Sequence, residues 1–569
     1  MLLRLIAGVF LLLVVLIVVS TIALRASLPV LDGEVAVNGL IASATIERDA
    51  AGIPVITASS RADLAFATGF AHGQDRFFQM DMIRRQAAGE LSEVVGSVAV
   101  AKDRQSRFHR FRSKARAAVD GATASDRVVL AAYADGVNAG LSSLSARPFE
   151  YFILGVEPRP WRPEDSVLVV FAMYVQLNDA RATKDVRRGL AYRVLPKEVY
   201  EWMYPQGTPW DAPLMGEPRA VAAIPSDDVY SIRDVPDDAP PANEKGRYPL
   251  RGSNNWAVSG ALAANGRAIV SNDMHLGLST PNIYYQARLV INGAERREVA
   301  GVTLPGAPFV IAGSNSLVAW GFTNSYGDWT DAVILQPGSA PGTYKTPQGD
   351  QEFTSYHEMI NVKDSEPVAY LVRETIWGPV LDDVVYPDGE IAVSWIAHKP
   401  EGINLRIMDL EKAGTVFDAL DIANSMSMPP QNFVTGDASG NIAWTIAGKI
   451  PKKGSFNAML PADWSVEHGW QGWHEGAEYP RIVNPESGRI WTANARVTDA
   501  EALRVVGDGG YDFGARARQI RDGLFAIDTF APDDMLAIQY DDRALFLARW
   551  RELLLENLGD SVVAGDAEL

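Results

Sequence analysis

The chain has 569 residues, of which 47% are hydrophobic and 21% are charged, so it can bury a large core and is not a disordered protein. Its 48 glycines and 33 prolines follow no period, which excludes a collagen-like fibre. The formal net charge of −18 disfavours nucleic acid as a partner, and the lack of cysteine excludes disulfides, thiolate metal sites and a cysteine nucleophile.

An apolar run occupies residues 5–24, between Arg4 and Arg25. Its length of about 20 residues matches the hydrocarbon core of a membrane. The run is longer than the usual apolar region of a signal peptide, which favours an uncleaved signal-anchor within residues 1–25 over a cleaved signal. The positive residue ahead of the run keeps the amino end in the cytoplasm, so the remainder is expected in the periplasm or another extracytoplasmic space, tethered to the inner membrane.

Residues 26–224 form a mainly helical region by sequence pattern. Residues 41–57 predict two short strands around a turn, because β-branched residues flank a small polar break. A long helix begins near Arg61, with capping residues just before it and in its first turn. Apolar residues at helical spacing give this helix one buried face: Phe66, Phe70, Phe77 and Met80. Further helices are expected near residues 125–145, 165–178 and 185–202.

Residues 225–252 differ in kind, with several prolines, many charges and few large apolar side chains. Such a segment cannot bury enough apolar area to offset its chain entropy, so the pattern predicts a linker. From residue 253 to residue 569 the sequence becomes strand-rich, with alternating runs such as NNWAVSG, RAIVSND and EIAVSWIAH. The junction between the two halves is therefore the place to look for chemistry.

Gly252 and Ser253 lie at this junction, whereas the nucleophile-elbow, phosphate-loop, zinc-protease and dinucleotide motifs are absent from the sequence. Glycine leaves its carbonyl unshielded, so the Ser253 hydroxyl can attack that carbonyl and, after hydrolysis, begin a new chain. A free α-amine has a pKa of about 7.7–8.0 and can act as the base for the hydroxyl of its own residue. A Gly-Ser step is also common in turns, so both interpretations stay open on spacing alone.

Several segments from residue 43 onward resemble, in order, the penicillin acylase family of N-terminal nucleophile hydrolases. They include GFAHGQDRFFQMDMIRRQAAGELSEVVG, GSNNWAVSGALAANGRAIVSNDMHLG, LPGAPFVIAGSNSLVAWGFTNSYGD, PPQNFVTGDASGNIAWTIAGKIPKKG and NPESGRIWTANARV. The resemblance implies an α+β fold, a four-layer αββα sandwich built from two chains of one precursor. It implies an α-chain region 26–224, an excised spacer 225–252 and a β-chain region 253–569. Family β-chains run further, so an incomplete carboxyl-terminal part is expected.

The resemblance also implies roles for individual residues. Ser253 would be the nucleophile, with its own α-amine as base after cleavage between Gly252 and Ser253. The side-chain amide of Asn494 and the backbone N–H of Asn324 would donate to the tetrahedral oxyanion. Asn255 would orient the surroundings of the nucleophile. Without the family context, a turn residue between strands is the favoured interpretation of Asn494.

Further matches lie near the expected substrate pocket. His275 would tune the amine or hold a bridging water, although a histidine satisfied by backbone groups fits equally well. Arg516 matches a family arginine near the pocket, with a surface ion pair as the alternative. Leu276 and Ala312 align with phenylalanines of phenylacetyl-specific members, so we expect an aliphatic pocket that favours a linear fatty acyl chain over phenylacetyl.

The segment GDWTD is similar to a family calcium loop. Asp328, Thr330 and Asp331 would supply carboxylate and carbonyl oxygens, which suit Ca²⁺, and Asp185 is expected as the carboxylate from the first chain. A solvated acidic turn is the alternative. Calcium is thus the implied structural cofactor, and no organic cofactor is implied.

The resemblance as a whole implies an exported, self-processing serine amidohydrolase that cleaves the amide bond of small N-acyl compounds such as β-lactam antibiotics. The active form would be an α/β heterodimer. An acyl-homoserine lactone acylase is the alternative within the same class. Alternatives of other classes are an unprocessed, non-catalytic binding protein on the same scaffold and a conventional Ser-His-Asp hydrolase, which the missing elbow motif disfavours.

Overall fold

The computed structural model describes residues 2–231, 233, 252–294, 296–466 and 468–558. The fold is α+β, with most helices before Gly252 and most strands after it, as predicted. The helices, numbered in chain order, are α1 Leu2–Ala26, α2 Arg61–Ala88, α3 Ser92–Val95, α4 Val100–Arg107, α5 Phe111–Gly121, α6 Ala124–Ser142, α7 Phe149–Leu154, α8 Pro163–Leu177, α9 Thr183–Val194, α10 Lys197–Met203, α11 Val416–Ser425, α12 Ala500–Val506, α13 Ala515–Phe525, α14 Pro532–Gln539 and α15 Ala548–Asn557.

The strands form several sheets that together position the candidate site. They are β1 Thr45–Arg48, β2 Pro54–Ala58, β3 Gly252–Val258, β4 Ile269–His275, β5 Tyr285–Asn292, β6 Arg296–Thr303, β7 Val310–Ser314, β8 Val318–Asn324, β9 Thr330–Leu335, β10 Thr343–Thr346, β11 Gly349–Glu352, β12 Thr354–Val362, β13 Ser365–Glu374, β14 Glu390–Trp395, β15 Gln431–Asp437, β16 Ile442–Ala447, β17 Pro451–Lys453, β18 Ala462–Asp463, β19 Trp470–Trp473, β20 Arg481–Val483 and β21 Arg489–Thr492.

The largest sheet has nine strands in the order β1-β2-β5-β6-β7-β8-β15-β16-β20. β1 and β2 form the predicted hairpin, whose turn is held by Asp49: its carboxylate accepts bonds from the N–H groups of Ala51 and Ile53. β2 then pairs in parallel with β5, so strands from both sides of residues 225–252 share one sheet. The two halves of the chain therefore form a common core, and separating them would expose a sheet edge.

Two three-stranded sheets carry the candidate residues Ser253 and Asp331. In the sheet β21-β3-β4, β3 pairs antiparallel with both neighbours, and its first residue, Gly252, lies opposite His275. In the sheet β14-β9-β18, β9 is the central strand and all six of its residues are buried. Burial on both faces explains why β9 reads as a nearly continuous apolar run after Asp331.

Helix α2 confirms the predicted long helix. The side chain of Ser60 caps its amino end by accepting a bond from the Asp63 N–H. Phe66, Phe77 and Met80 are buried on its inner face, and Phe70 is half-buried. Close packing against α6 requires glycine, because a Cβ added at Gly69 would lie 2.3 Å from the carbonyl oxygen of Tyr133.

Two predicted segments differ in detail or lie outside the described residues. Residues 185–202 predicted a single helix, but α9 ends at Val194 and α10 begins at Lys197. The break falls at Leu195-Pro196, because proline disfavours helical geometry in the residue before it and cannot donate a backbone bond. Of the predicted spacer 225–252, residues 232 and 234–251 lie outside the described residues.

Helix α1 contains the predicted apolar run. Within the described residues, one helical stretch, Arg4–Ala26, is long and apolar enough to cross a membrane, with a mean hydropathy of 3.1 and no part buried against the protein. An amino-terminal helix of this kind is compatible with export, as a signal or as an anchor.

Candidate active site

The candidate active site, called the serine site below, consists of Ser253, Asn324, Asn494 and Arg516. Ser253 is the second residue of β3 and is 5% exposed. Its Oγ accepts a hydrogen bond from the backbone N–H of Asn324 at 3.1 Å and a longer one from Asn494 Nδ2 at 3.4 Å. Two donors from separate segments therefore converge on one buried hydroxyl, and they belong to the residues that the resemblance gives as oxyanion donors.

Asn494 is held in a demanding conformation. Its φ of +63° lies in the left-handed region, where asparagine is better tolerated than most residues. Its Nδ2 also donates to the Asn324 carbonyl at 2.8 Å, and its Oδ1 accepts from the backbone N of Ser253 at 2.7 Å. Its hydrogen bonds to both Ser253 and Asn324 favour a role at the serine site over that of a turn residue.

Arg516 connects the parts of the serine site. From helix α13 its guanidinium donates to the Ser253 carbonyl at 3.1 Å and to Asn494 Oδ1 at 2.9 Å, and it pairs with Asp512 at 3.0 Å. Gly252 packs directly against the Arg516 guanidinium, because an added Cβ would lie 2.8 Å from Arg516 Nη2 and 3.1 Å from Asn494 Oδ1. A larger residue at this position would push the guanidinium and the asparagine amide away from the serine.

Asn255 and His275 lie near the serine site without bonding to it. Asn255 is fully buried on β3, and neither polar atom of its side chain has a hydrogen-bond partner in the described part of the chain. His275 lies across from Gly252 on β4, but its ring bonds to Asp273 Oδ2 at 2.8 Å. The imidazole therefore lies near Ser253 in the sheet but is hydrogen-bonded to Asp273 on its own strand, and it forms no direct bond to Ser253.

An apolar cavity lies beside Ser253, which is one of its lining residues. Of the two residues expected at the substrate pocket, Leu276 lines this cavity and Ala312 does not; its neighbour Ile311 contributes to the wall instead. Successive side chains of a strand point to opposite faces. An alignment that is wrong by one residue therefore assigns Ala312 to the face that Ile311 occupies. The other lining side chains are mostly aliphatic, aromatic or thioether groups, among them Met173, Met274, Met426, Met428, Phe309 and Phe322.

One wall of the cavity is fixed by a chain of neutral hydrogen bonds that the sequence did not reveal. Thr303 Oγ1 donates to the Tyr285 carbonyl at 2.9 Å, so the 3.0 Å contact between His72 Nε2 and Thr303 requires Nε2 to be the donor. Burial lowers the pKa of His72 to about 3, so its Nδ1 accepts from the Tyr133 hydroxyl at 2.7 Å. The same hydroxyl accepts from the Gly306 N–H at 2.9 Å, which pins the loop before the lining residue Ala307.

The residues predicted for calcium come together, but around a lysine. We call Asp185, Asp328, Asp331 and Lys453 the ammonium cluster. Lys453 Nζ lies 2.8 Å from Asp328 Oδ2 and 2.9 Å from Asp331 Oδ2 and is enclosed by protein. Asp185, from α9, accepts a bond from the Ala332 N–H at 3.1 Å. Asp185, the carboxylate expected from the first half, thus lies beside Asp328 and Asp331, and Lys453 was not among the expected residues.

The electrostatics of the ammonium cluster are those of buried, interacting charges. Burial, together with the charges of Asp328 and Asp331, raises the pKa of Asp185 well above its ordinary value. Burial also raises the pKa of Asp328 to about 7, although the Lys453 ammonium opposes the shift. Burial likewise raises the pKa of the Asp331 carboxyl.

As folded, this set does not fit Ca²⁺. Calcium takes six to eight oxygen ligands at about 2.3–2.6 Å, and here the Asp328 and Asp331 oxygens converge on an ammonium nitrogen. Asp331 Oδ2 is also engaged by the Trp470 Nε1–H at 2.6 Å. In the described part of the chain, no group of three or more carboxylate or imidazole side chains that could hold a metal ion is found. A calcium ion would first have to displace the Lys453 side chain.

Comparison with known proteins places this geometry in context. A family model described as penicillin amidase matches residues 43–568. The penicillin acylase 2 proenzyme of Pseudomonas sp. (strain SE83) is 30% identical over 527 residues, which are 91% of this chain and 67% of that protein. The acyl-homoserine lactone acylase QuiP of Pseudomonas aeruginosa is 27% identical over 545 residues, which are 92% of this chain and 63% of that protein. The chain thus spans roughly two thirds of the length of these relatives.

Among solved structures, a thermostable penicillin G acylase from Alcaligenes faecalis is similar, with a TM-score of 0.45 and 21% identity. The superposition covers 54% of this chain and 55% of that chain.

Proposed function

The chain belongs to the penicillin amidase family, and on that premise we propose that it is a self-processing amidohydrolase with Ser253 as its nucleophile. The observation that carries the proposal is the convergence of the Asn324 N–H and the Asn494 amide on the buried Ser253 hydroxyl. Preorganised neutral donors of this kind stabilise an oxyanion at a site that excludes water. A serine that only supports a sheet needs no such pair.

Processing would proceed through attack of Ser253 Oγ on the carbonyl carbon of Gly252. The bond from that carbon to the Ser253 nitrogen breaks, the nitrogen takes up the hydroxyl proton, and an ester remains. Water then hydrolyses the ester, leaving a carboxylate on Gly252 and a free α-amine on Ser253. The lack of room for a side chain at Gly252 supports a role for glycine at this position.

Turnover of a substrate would use the same hydroxyl. The α-amine of Ser253 accepts the Oγ proton through a bridging water, and Oγ attacks the amide carbon of the substrate. Asn324 and Asn494 donate to the oxygen that becomes negative. The leaving amine takes the proton, and water releases the acyl group from the ester. Arg516 supports the role of the α-amine as base. Its guanidinium and the Ser253 nitrogen both donate to Asn494 Oδ1, and a positive charge so close favours the neutral amine over the ammonium form.

We further propose the two-chain architecture of the family. An α-chain from residues 26–224 and a β-chain from residue 253 onward would form a heterodimer in a four-layer αββα sandwich, after excision of residues 225–252. The parallel pairing of β2 with β5 supports two halves that stay together after cleavage. The proenzyme named among the relatives supports processing, and helix α1 supports export with tethering to the inner membrane.

The substrate class follows from the cavity beside Ser253. Phe309 and Phe322 also line this cavity, but aliphatic and thioether side chains outnumber the aromatic ones. A lining of this kind suits a flexible alkyl chain better than a phenyl ring, which gains most from aromatic partners. We therefore propose linear fatty acyl amides, on a β-lactam nucleus or another small amine. An acyl-homoserine lactone is the second candidate, because it presents the same acyl chemistry and a relative carries that name.

The decisive experiment is the intact mass of the purified protein. Self-processing predicts two chains, the second beginning at Ser253, and the Ser253→Ala variant should give one uncleaved chain. Ser279→Ala is the matched control, since Ser279 is exposed and bonds only locally to Pro281. A wild-type protein that stays in one piece and binds acyl amides without hydrolysing them would instead establish the non-catalytic binding protein.

A panel of acyl donors then tests the substrate class. We expect hexanoyl to dodecanoyl amides to be hydrolysed with a higher kcat/KM than phenylacetyl amides of the same amine. Faster turnover of phenylacetyl amides would overturn the aliphatic assignment. Comparison of a β-lactam nucleus with homoserine lactone as the amine, at a fixed acyl chain, separates the two candidate functions.

A further inference from the structure

The ammonium cluster joins three distant parts of the fold. Asp185 comes from α9 in the first half of the chain, Asp331 from the central strand β9, and Lys453 from the end of β17. Asp185 holds the backbone of β9 through Ala332, and Asp331 also accepts from Trp470 on β19. The cluster therefore lies at a joint where a helix, a sheet and a short ribbon meet.

Charge balance at this joint requires a cation. Asp185, Asp328 and Asp331 are 6%, 5% and 2% exposed, and buried carboxylates that face one another repel unless a positive charge lies between them. The Lys453 ammonium lies within ion-pair distance of two of the three.

An external cation has no open position here. The two carboxylate oxygens at the centre of the joint already contact Nζ, which is enclosed by protein. A divalent ion would need several more oxygen ligands at shorter distances and would have to displace the enclosed Lys453 ammonium group. The oxygen atoms are those of a cation site, but the chain supplies the cation itself.

We propose that Lys453 replaces the structural calcium ion that the family resemblance implies, so that an internal ammonium ion holds this joint and the fold does not depend on Ca²⁺. The inference concerns stability and does not rest on the proposed function. Its failure would therefore leave the assignment of Ser253 untouched.

The first test uses the wild-type protein. Its Tm in excess EDTA should agree within about 1 °C with its Tm in millimolar CaCl₂, because a bound ion would stabilise the folded state by mass action. MgCl₂ at the same concentration controls for ionic strength. A Tm that falls on chelation, or rises with Ca²⁺ and not with Mg²⁺, would overturn the proposal.

The second test removes the ammonium. Lys453→Met should lower the Tm by about 5 °C or more, because it leaves buried carboxylates without a partner. Lys453→Arg, which keeps the charge, should recover most of the loss. Lys452→Met is the matched control: Lys452 is the preceding residue, is 39% exposed and pairs with Glu478, so its loss should change the Tm by about 1 °C or less. A Lys453→Met protein as stable as the wild type would overturn the proposal.

The third test asks whether the ammonium occupies the position of a cation. Lys453→Ser leaves the carboxylates in place and opens space between them. Millimolar Ca²⁺ should raise the Tm of this variant by about 2 °C or more and leave the wild type unchanged. Absence of a Ca²⁺ effect on a folded Lys453→Ser protein would show that Lys453 does not replace a cation. If this variant does not fold, the wild-type chelation test and Lys453→Arg still decide the matter.

Discussion

The serine site and the ammonium cluster are both polar and buried, yet different forces hold them. At the serine site, Ser253, Asn324 and Asn494 are neutral, and their positions are fixed by peptide N–H and carbonyl groups together with the Arg516 guanidinium. In the ammonium cluster, formal charges face one another, and Asp331 Oδ1 has no hydrogen-bond partner in the described part of the chain.

The difference has a functional reason. Directional bonds between neutral groups fix positions to fractions of an ångström, which catalysis needs. A charge cluster tolerates looser geometry but depends on its balance of protons and cations. We therefore expect the serine site to fail when one donor is lost and the ammonium cluster to fail when one charge is lost.

The largest expected effect is the loss of an oxyanion donor. Asn494→Gly keeps the left-handed backbone available and removes the amide, so kcat per mole of processed chain should fall by about 10²–10³-fold, or 2.7–4 kcal/mol. Asn484→Gly is the control, because Asn484 has a φ of +46° but bonds to Asn441 and Ile442. Steady-state kinetics with the best fatty acyl amide measure both, and equal kcat values would remove Asn494 from the mechanism.

The next effect tests how tightly the same site is packed. Gly252→Ala places a Cβ 2.8 Å from Arg516 Nη2, so the guanidinium and Asn494 must shift and processing should slow by about tenfold or more. Gly121→Ala, where an added Cβ meets nothing within 4 Å, is the control. The fraction of cleaved chain over time, measured by mass spectrometry, gives the rate. Normal processing of the alanine variant would mean that the site has more freedom than its contacts indicate.

The wall of the apolar cavity extends the comparison, since it too is held by neutral bonds. Tyr133→Phe leaves His72 Nδ1 and the Gly306 N–H without a partner, which should cost about 1–3 kcal/mol of unfolding free energy. The released loop should also alter the preference among acyl chain lengths. Denaturant unfolding and the acyl panel measure the two effects, with the exposed Tyr540→Phe as control. An unchanged unfolding free energy would mean that water replaces the lost hydroxyl.

The sequence predicted the elements with local signals. Capping residues and helical spacing predicted α2, and β-branched residues around Asp49 predicted the first hairpin. The serine site was predicted from ordered motifs, since Ser253 and Asn494 are 241 residues apart and no local pattern connects them.

The remaining features depend on single-residue register and long-range partners. Lys452 and Lys453 are adjacent and chemically identical, but the first pairs with Glu478 at the surface and the second is enclosed by aspartates more than 100 residues away. Ile311 and Ala312 are also adjacent, but Ile311 lines the apolar cavity and Ala312 does not. The β6–β7 pairing has an irregular register between Val302 and Thr303, just across from them, which alignment to a family motif does not reveal.

The smallest expected effect is a pH dependence of stability that arises at Asp185 in the ammonium cluster. The pKa of Asp185 is raised by burial and by the neighbouring carboxylates, so the folded protein retains a proton that the unfolded chain releases above about pH 4. Its contribution to stability is therefore present at low pH and is lost as the pH rises through the folded pKa.

Asp185→Asn mimics the protonated form, so it should match the wild type at pH 4 and exceed its Tm by about 2 °C at pH 8. Asp120→Asn, on the exposed side of α5, should show no such difference. A variant that is less stable than the wild type at pH 8 would show that Asp185 is ionised in the folded protein, and the joint would then carry more negative charge than one ammonium can balance.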